Sequence, residues 1–210
     1  MKRSNITYTK NGIVAGNVTD KKNIKNPIGK YLVKKFEDRI ISILRNLKPS
    51  SITEVGCGEG DLIKLFLDNT KATITALELS NTVLDKARNR IQNPRVWFEQ
   101  MDIYDIPDDD KYKSDLIVCC EVLEHLNNPE VGLKKLYSIS ESYCLISVPR
   151  EPIWRFLNLL RLSYVCDLGN TPGHLQHWGA KDFISFVSKY FKVEEKFAPI
   201  PWTILLCRKK

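Results

Sequence analysis

Three glycines at alternate positions, Gly56, Gly58 and Gly60, interrupt an apolar β-type run over residues 51–62 and hand it over to a helical pattern. Without Cβ atoms they allow a sharp strand-to-helix turn whose backbone N–H groups can approach a ligand closely, the property of a nucleotide-binding turn. Glu78 closes the next β-like run, 72–78, and lies 22 residues after Gly56. An acid at the tip of a second strand can accept both ribose hydroxyls. A dinucleotide satisfies these two features as well as any other nucleotide. A third acid, Asp102, follows the third strand pattern in 100–104. Further along, Glu121, Glu124 and His125 are spaced i, i+3, i+4. On a helical turn these side chains share one face. Their oxygen ligands favour Mg²⁺ or Mn²⁺, and the added imidazole also admits Zn²⁺ or Fe²⁺. The two remaining histidines, His174 and His177, sit within residues 169–178. Without a metal, either can act as general base, because an imidazole with a pKa of roughly 6.5 accepts a proton at neutral pH. Packing beside Trp178 is the competing, structural reading of His177.

The elements that must position these groups alternate. Strand patterns fall near 51–56, 73–78, 95–100, 114–119 and 143–148, with helical patterns near 60–69, 81–92 and 129–139. That order describes a doubly wound parallel sheet. After a helix near 180–190, the runs 191–197 and 202–208 are joined by only four residues, Ala198-Pro-Ile-Pro201, so they should pair antiparallel. Upstream, Pro27 opens a helix whose apolar face carries Tyr31, Leu32, Phe36, Ile40, Ile43, Leu44 and Leu47 before Pro49 stops it.

The Gly-x-Gly-x-Gly spacing with Glu78, Asp102 and the segment 114–126 resembles the class I S-adenosylmethionine-dependent methyltransferases of the type 11/23 kind, over residues 51–148. The resemblance implies an α/β fold with a doubly wound, Rossmann-like seven-stranded sheet, mostly parallel with an antiparallel C-terminal strand. It places the glycine turn against the methionine part of S-adenosylmethionine, Glu78 on the ribose and Asp102 on the adenine amine. Glu54, Cys57, Leu79, Met101, Ile103 and Glu121 complete the implied cofactor contacts. The Glu-x-x-Glu-His set is similar to the metal site of ubiquinone-biosynthesis O-methyltransferases and of small-RNA 2′-O-methyltransferases. There a later histidine completes the set, and His174 is the candidate, giving Glu121, Glu124, His125 and His174. The same segment also resembles methyltransferases that hold no metal. His174, His125 and His177 are the candidate catalytic side chains.

The chain has 210 residues, 43% of them apolar, enough for one catalytic domain over 27–210. No apolar run reaches the roughly 18 residues of a membrane span, and the first residues lack the apolar stretch of a signal peptide, so a cytoplasmic location is expected. Six cysteines without CxxC spacing are expected to be buried, reduced hydrophobes. Charge is uneven: residues 1–35 carry +8 and the remainder −1. A basic arm over 1–26 is therefore expected to be mobile and either to stay solvated or to meet a phosphate-bearing substrate, an anionic membrane or nucleic acid. Residues 149–171 form an apolar insertion with Trp154, Phe156, Leu157, Leu159, Leu160 and Leu162 among Arg150, Arg155 and Arg161. It reads as a lid over a small-molecule, lipid or lipid-linked sugar acceptor, or as a plain cover or dimer contact. O-methylation of such an acceptor is the expected function, by a monomer or homodimer. RNA 2′-O-methylation, a non-catalytic S-adenosylmethionine-binding partner subunit and an NAD-dependent oxidoreductase are the alternatives.

Overall fold

The computed structural model describes residues 26–210, so the expected basic arm lies outside the described residues except for Asn26. Seven strands form one sheet: β1 (Ser51–Val55), β2 (Thr73–Glu78), β3 (Val96–Gln100), β4 (Ser114–Cys120), β5 (Ser140–Pro149), β6 (Phe191–Phe197) and β7 (Trp202–Lys209). Their spatial order is β3-β2-β1-β4-β5-β7-β6. The first five are parallel, and β7 runs antiparallel between β5 and β6. The helices are α1 (Pro27–Leu47), α2 (Asp61–Asn69), α3 (Asn81–Arg90), α4 (Pro129–Ile139), α5 (Ile153–Leu160) and α6 (Ala180–Val187).

Successive β4 residues point to opposite faces of the sheet, and both faces are covered. Leu116 and Val118 join a core built with α1, α2 and α3, while Ile117 and Cys119 join one built with α4 and α6. β4 is therefore apolar at consecutive positions, and a strand so buried reads from sequence as a continuous run. The chain leaves β1 outward to β2 and β3 and then returns to β4 on the other side of β1. That reversal separates the loops following β1 and β4 and opens a crevice at their carboxyl ends.

Helix α1 starts at Pro27, a residue suited to the first helical position, with the Asn26 side chain accepting from the Ile28 N–H at 2.9 Å. Its buried face consists of Phe36, Ile40, Ile43 and Leu44. Tyr31, expected on that face, is exposed, because burial begins only in the third turn. Of the six cysteines, all reduced, Cys57, Cys119, Cys144 and Cys207 are buried and Cys120 is half-buried. Cys166 departs from the expectation. It lies exposed in a short 3₁₀ turn, 165–167, rather than in a strand.

Ile40 is fully buried between α1 and the sheet. Ile40→Ala should lower the unfolding free energy by about 2–5 kcal/mol in a denaturant titration. A change under about 0.5 kcal/mol would mean that α1 does not belong to the core.

Candidate active site

A cavity of about 440 Å³ lies at the carboxyl ends of β1, β2 and β4. Its floor is made by the turn after β1, whose path is fixed by the backbone of β2. The amides of Gly56 and Cys57 both donate to the Leu77 carbonyl, at 2.8 and 2.9 Å. Gly56 takes φ +81°, and a Cβ there would collide with the Val122 side chain. The Gly58 N–H donates to Glu78 Oε2 at 3.0 Å, and the Ser80 N–H to Oε1 at 2.9 Å. An ionised carboxylate has about four lone-pair sites, so two remain for a pair of ribose hydroxyls. Burial pushes the Glu78 pKa above the usual glutamate value, while the Ser80 and Gly58 amides pull against that rise.

Glu54, Gly56, Cys57, Gly58, Glu78 and Leu79 all line the cavity. So do Met101, Asp102, Ile103 and Glu121. Asp102 is held by the Tyr104 N–H at 3.0 Å, capping the 3₁₀ turn 103–105. Burial and the nearby Glu54 and Glu78 push the Cys57 thiol far up, so it is a neutral wall group. Gly60 is the one glycine of the turn outside the lining. It adopts φ +82° before α2, and a Cβ there would stand 2.6 Å from Ile91 Cδ1, so its role is in the turn and its packing.

Among the acids and imidazoles, the structure brings Glu124, His125 and His174 together, with one ligand atom from each within 4.8 Å of the others. Glu121 stands apart from them. It sits at φ +60° before the 3₁₀ turn, 123–125, so it does not share a helical face with Glu124 and His125. Its carboxylate accepts from Ser147 Oγ at 3.0 Å and from Trp202 Nε1 at 2.9 Å. His174 reaches the cluster because Leu175 and Gln176 N–H groups donate to the Glu124 carbonyl, at 2.8 and 3.0 Å. The Gln176 side chain adds a bond to the Leu126 carbonyl at 2.9 Å.

His125 Nδ1 lies 2.8 Å from the Gly173 carbonyl. A carbonyl can only accept, so Nδ1 carries the hydrogen and Nε2 keeps its lone pair, the orientation common for ligating histidines. Burial lowers the His125 pKa, and burial together with His125 and His177 holds His174 down to about 3. Two neutral imidazoles and a buried carboxylate converging in this way fit a divalent cation. His177 is exposed, bonded through Nε2 to Asn170 Oδ1 at 2.8 Å, and absent from the cavity wall.

The wall also contains Phe36, Tyr104, Trp154 and Thr171, which lie outside the implied cofactor and metal sets. Phe36 and Trp154 gave a partial signal, as part of the α1 face and of the apolar insertion. Thr171 stood only as the end of that insertion. Trp154 stands near His174, with ring centroids 5.9 Å apart.

Sheet order, glycine turn and acid-tipped β2 define the class of proteins that bind an adenosyl cofactor at a sheet switch point. Residues 52–141 match the family described as "Methyltransferase domain". The ubiquinone biosynthesis O-methyltransferase of Coxiella burnetii is 30% identical over 115 residues, 52% of this chain and 48% of that protein. The malonyl-[acyl-carrier protein] O-methyltransferase of Priestia megaterium is 33% identical over 88 residues, 41% and 31% of the two chains. The first of these relatives is thus matched over about half its length. Among solved structures, magnesium protoporphyrin IX methyltransferase from Synechocystis PCC 6803 with bound SAH has a TM-score of 0.66 at 18% identity, covering 88% of each chain. The small RNA methyltransferase HEN1 has a TM-score of 0.67 at 19% identity, covering 85% of this chain and 25% of that one. At such identities the structures show a shared fold. Residues 52–141 thus carry a methyltransferase domain, and the sheet around it has the fold of the class I S-adenosylmethionine-dependent methyltransferases, whose cofactor is S-adenosylmethionine.

Glu78→Ala should weaken S-adenosylhomocysteine binding in calorimetry by about 1.5–3 kcal/mol for each charge-assisted hydrogen bond lost. The wild-type affinity should fall as pH falls through the raised Glu78 pKa, because the protonated carboxyl loses its charge and an acceptor site. Equal affinity in the variant would remove Glu78 from the cofactor site.

Proposed function

We propose that the protein transfers the methyl group of S-adenosylmethionine to a hydroxyl oxygen of a small-molecule or lipid-like acceptor. The observation that carries this reading is the Glu124, His125 and His174 cluster, which faces the same cavity as the glycine turn and Glu78. In the reaction the acceptor oxygen attacks the methyl carbon, and the carbon–sulfur bond breaks with its electron pair left on sulfur. The hydroxyl proton is released to solvent as the acceptor binds, before the methyl group moves. Much of the rate comes from holding the oxygen in line and keeping water out.

An imidazole with a pKa of about 3, as at His174, is a poor base for a hydroxyl proton but a good neutral ligand. Glu124, His125 Nε2 and His174 would therefore hold a divalent cation, with Glu121 left to orient the wall through Ser147 and Trp202. When bound, such an ion lowers the pKa of an acceptor hydroxyl and orients its oxygen. His125 keeps its ring fixed through Nδ1 and the Gly173 carbonyl.

O-methyltransferase activity of the two curated relatives supports an oxygen acceptor. The insertion supports an apolar one, since Phe156, Leu160, Leu162 and Leu168 are all exposed in the same segment of chain that contributes Trp154 and Thr171 to the cavity wall. No helix among the described residues is long and apolar enough to cross a membrane. The RNA 2′-O-methylation reading uses the same cluster, and the basic segment that would favour it lies outside the described residues.

His174→Ala should leave S-adenosylhomocysteine affinity unchanged while labelled methyl transfer to a phenolic or lipid-linked hydroxyl acceptor falls on the order of 10²-fold or more. Mn²⁺ or Mg²⁺ should raise the unfolding midpoint of the wild type and not of the variant. Full transfer by His174→Ala would take the histidine out of the chemistry.

A further inference from the structure

Thr171 occupies an unusual position on the cavity wall. It is only 6% exposed, and its hydroxyl oxygen accepts two hydrogen bonds. One comes from Trp154 Nε1 at 2.8 Å and the other from Asn158 Nδ2 at 3.2 Å. Asn158 is itself fixed. It is 1% exposed on a helix whose other residues, Arg155 apart, are apolar; its amide also donates to the Gly169 carbonyl at 2.8 Å, and its Oδ1 accepts from Arg161. A hydroxyl has two acceptor lone pairs and one donor hydrogen. Both lone pairs of Thr171 are occupied by groups that can only donate, so the hydrogen is left with the one remaining tetrahedral direction. Among the described residues, no protein atom accepts it.

A buried donor without an acceptor is costly, and on a cavity wall the ligand is the natural acceptor. Beside it stands the Trp154 ring, which the Thr171 hydroxyl anchors and which runs on to His174 and then to His125, at 5.9 and 4.9 Å between centroids. Thr171 thus lies one aromatic side chain away from the candidate reaction centre.

We infer that Thr171 recognises the methyl acceptor, donating its hydroxyl hydrogen to a carbonyl or other accepting oxygen that the acceptor carries in addition to the hydroxyl that is methylated. Trp154 supplies the apolar surface along which the intervening part of the acceptor lies. The substrate class is then a hydroxy compound with a second, accepting oxygen and an apolar body between the two. This inference rests on the methyl-transfer reading of the cavity. A merely structural Thr171 would hold Trp154 and Asn158 and have no preference for an oxygen on the ligand.

The probes are the ortho, meta and para isomers of hydroxyacetophenone and the matching ethylphenols, which replace the carbonyl oxygen by hydrogens at nearly constant shape. Each is titrated into the S-adenosylhomocysteine-loaded protein and followed by calorimetry. At least one isomer should bind roughly three- to tenfold more tightly than its ethyl counterpart, the effect of one net hydrogen bond. Thr171→Ser should keep that preference, and Thr171→Val and Thr171→Ala should abolish it, with cofactor affinity unchanged in all. The ratio within a pair is the quantity read, because the Val and Ala variants also leave the Trp154 N–H unpaired and can lower absolute affinity for both members. Retention of the preference in Thr171→Val or Thr171→Ala, or absence of any carbonyl preference in the wild type, would overturn the assignment. Failure of the wild type to bind S-adenosylhomocysteine would instead overturn the cofactor reading beneath it.

Discussion

The site depends on one buried carboxylate and the carbonyl beside it. Glu78 accepts from the Gly58 and Ser80 amides, and the Leu77 carbonyl accepts from Gly56 and Cys57, so the turn after β1 is bound to the tip of β2. Those bonds satisfy N–H groups that would otherwise be unpaired in a buried turn, and they hold it in the left-handed conformations that only glycine adopts at little cost. On the proposed assignment the same carboxylate also meets the ribose, so stability of the turn and affinity for the cofactor would be two uses of a single charge, whose burial works against its ionisation.

A second tie brings the candidate reaction centre to the same cavity. The Glu124 carbonyl receives two amides from Leu175 and Gln176, and the Gly173 carbonyl receives His125. Together they draw the segment before α6 against the turn after β4. Only then do Glu124, His125 and His174 meet. The insertion is closed by its own polar links, from Asn158 and Trp154 to Thr171, so an apolar helix stands at the edge of the cavity with a fixed hydroxyl on the wall. The three segments come from distant parts of the chain. Their convergence follows from the sheet reversal between β1 and β4, which leaves a crevice for all of them.

The fold and the lining of the cavity were legible because their signals are local. Glycines at 56, 58 and 60, acids at strand ends and a four-residue link between β6 and β7 each constrain the backbone within a few positions. The reaction centre was less legible. The i, i+3, i+4 spacing placed Glu121 with Glu124 and His125, but the positive φ at Glu121 breaks the helical turn, and the carboxylate answers instead to Trp202, 81 residues away. His174 entered by resemblance rather than by spacing, since its approach depends on backbone bonds from Leu175 and Gln176 to Glu124, 51 and 52 residues back along the chain. Thr171 stood only as the end of the insertion, with no motif of its own. Its significance lies in which neighbours occupy its lone pairs, and sequence does not state that.

The glycine turn and Glu78 should bind an adenosyl sulfonium cofactor rather than a dinucleotide. Thermal unfolding of the full chain with S-adenosylhomocysteine and, separately, with NAD tests it most directly. At a hundredfold excess over its dissociation constant, S-adenosylhomocysteine should add about 2.7 kcal/mol and raise the midpoint by roughly 5–10 °C, with no shift from NAD. A shift with NAD alone, or with neither ligand, would contradict the account at its foundation.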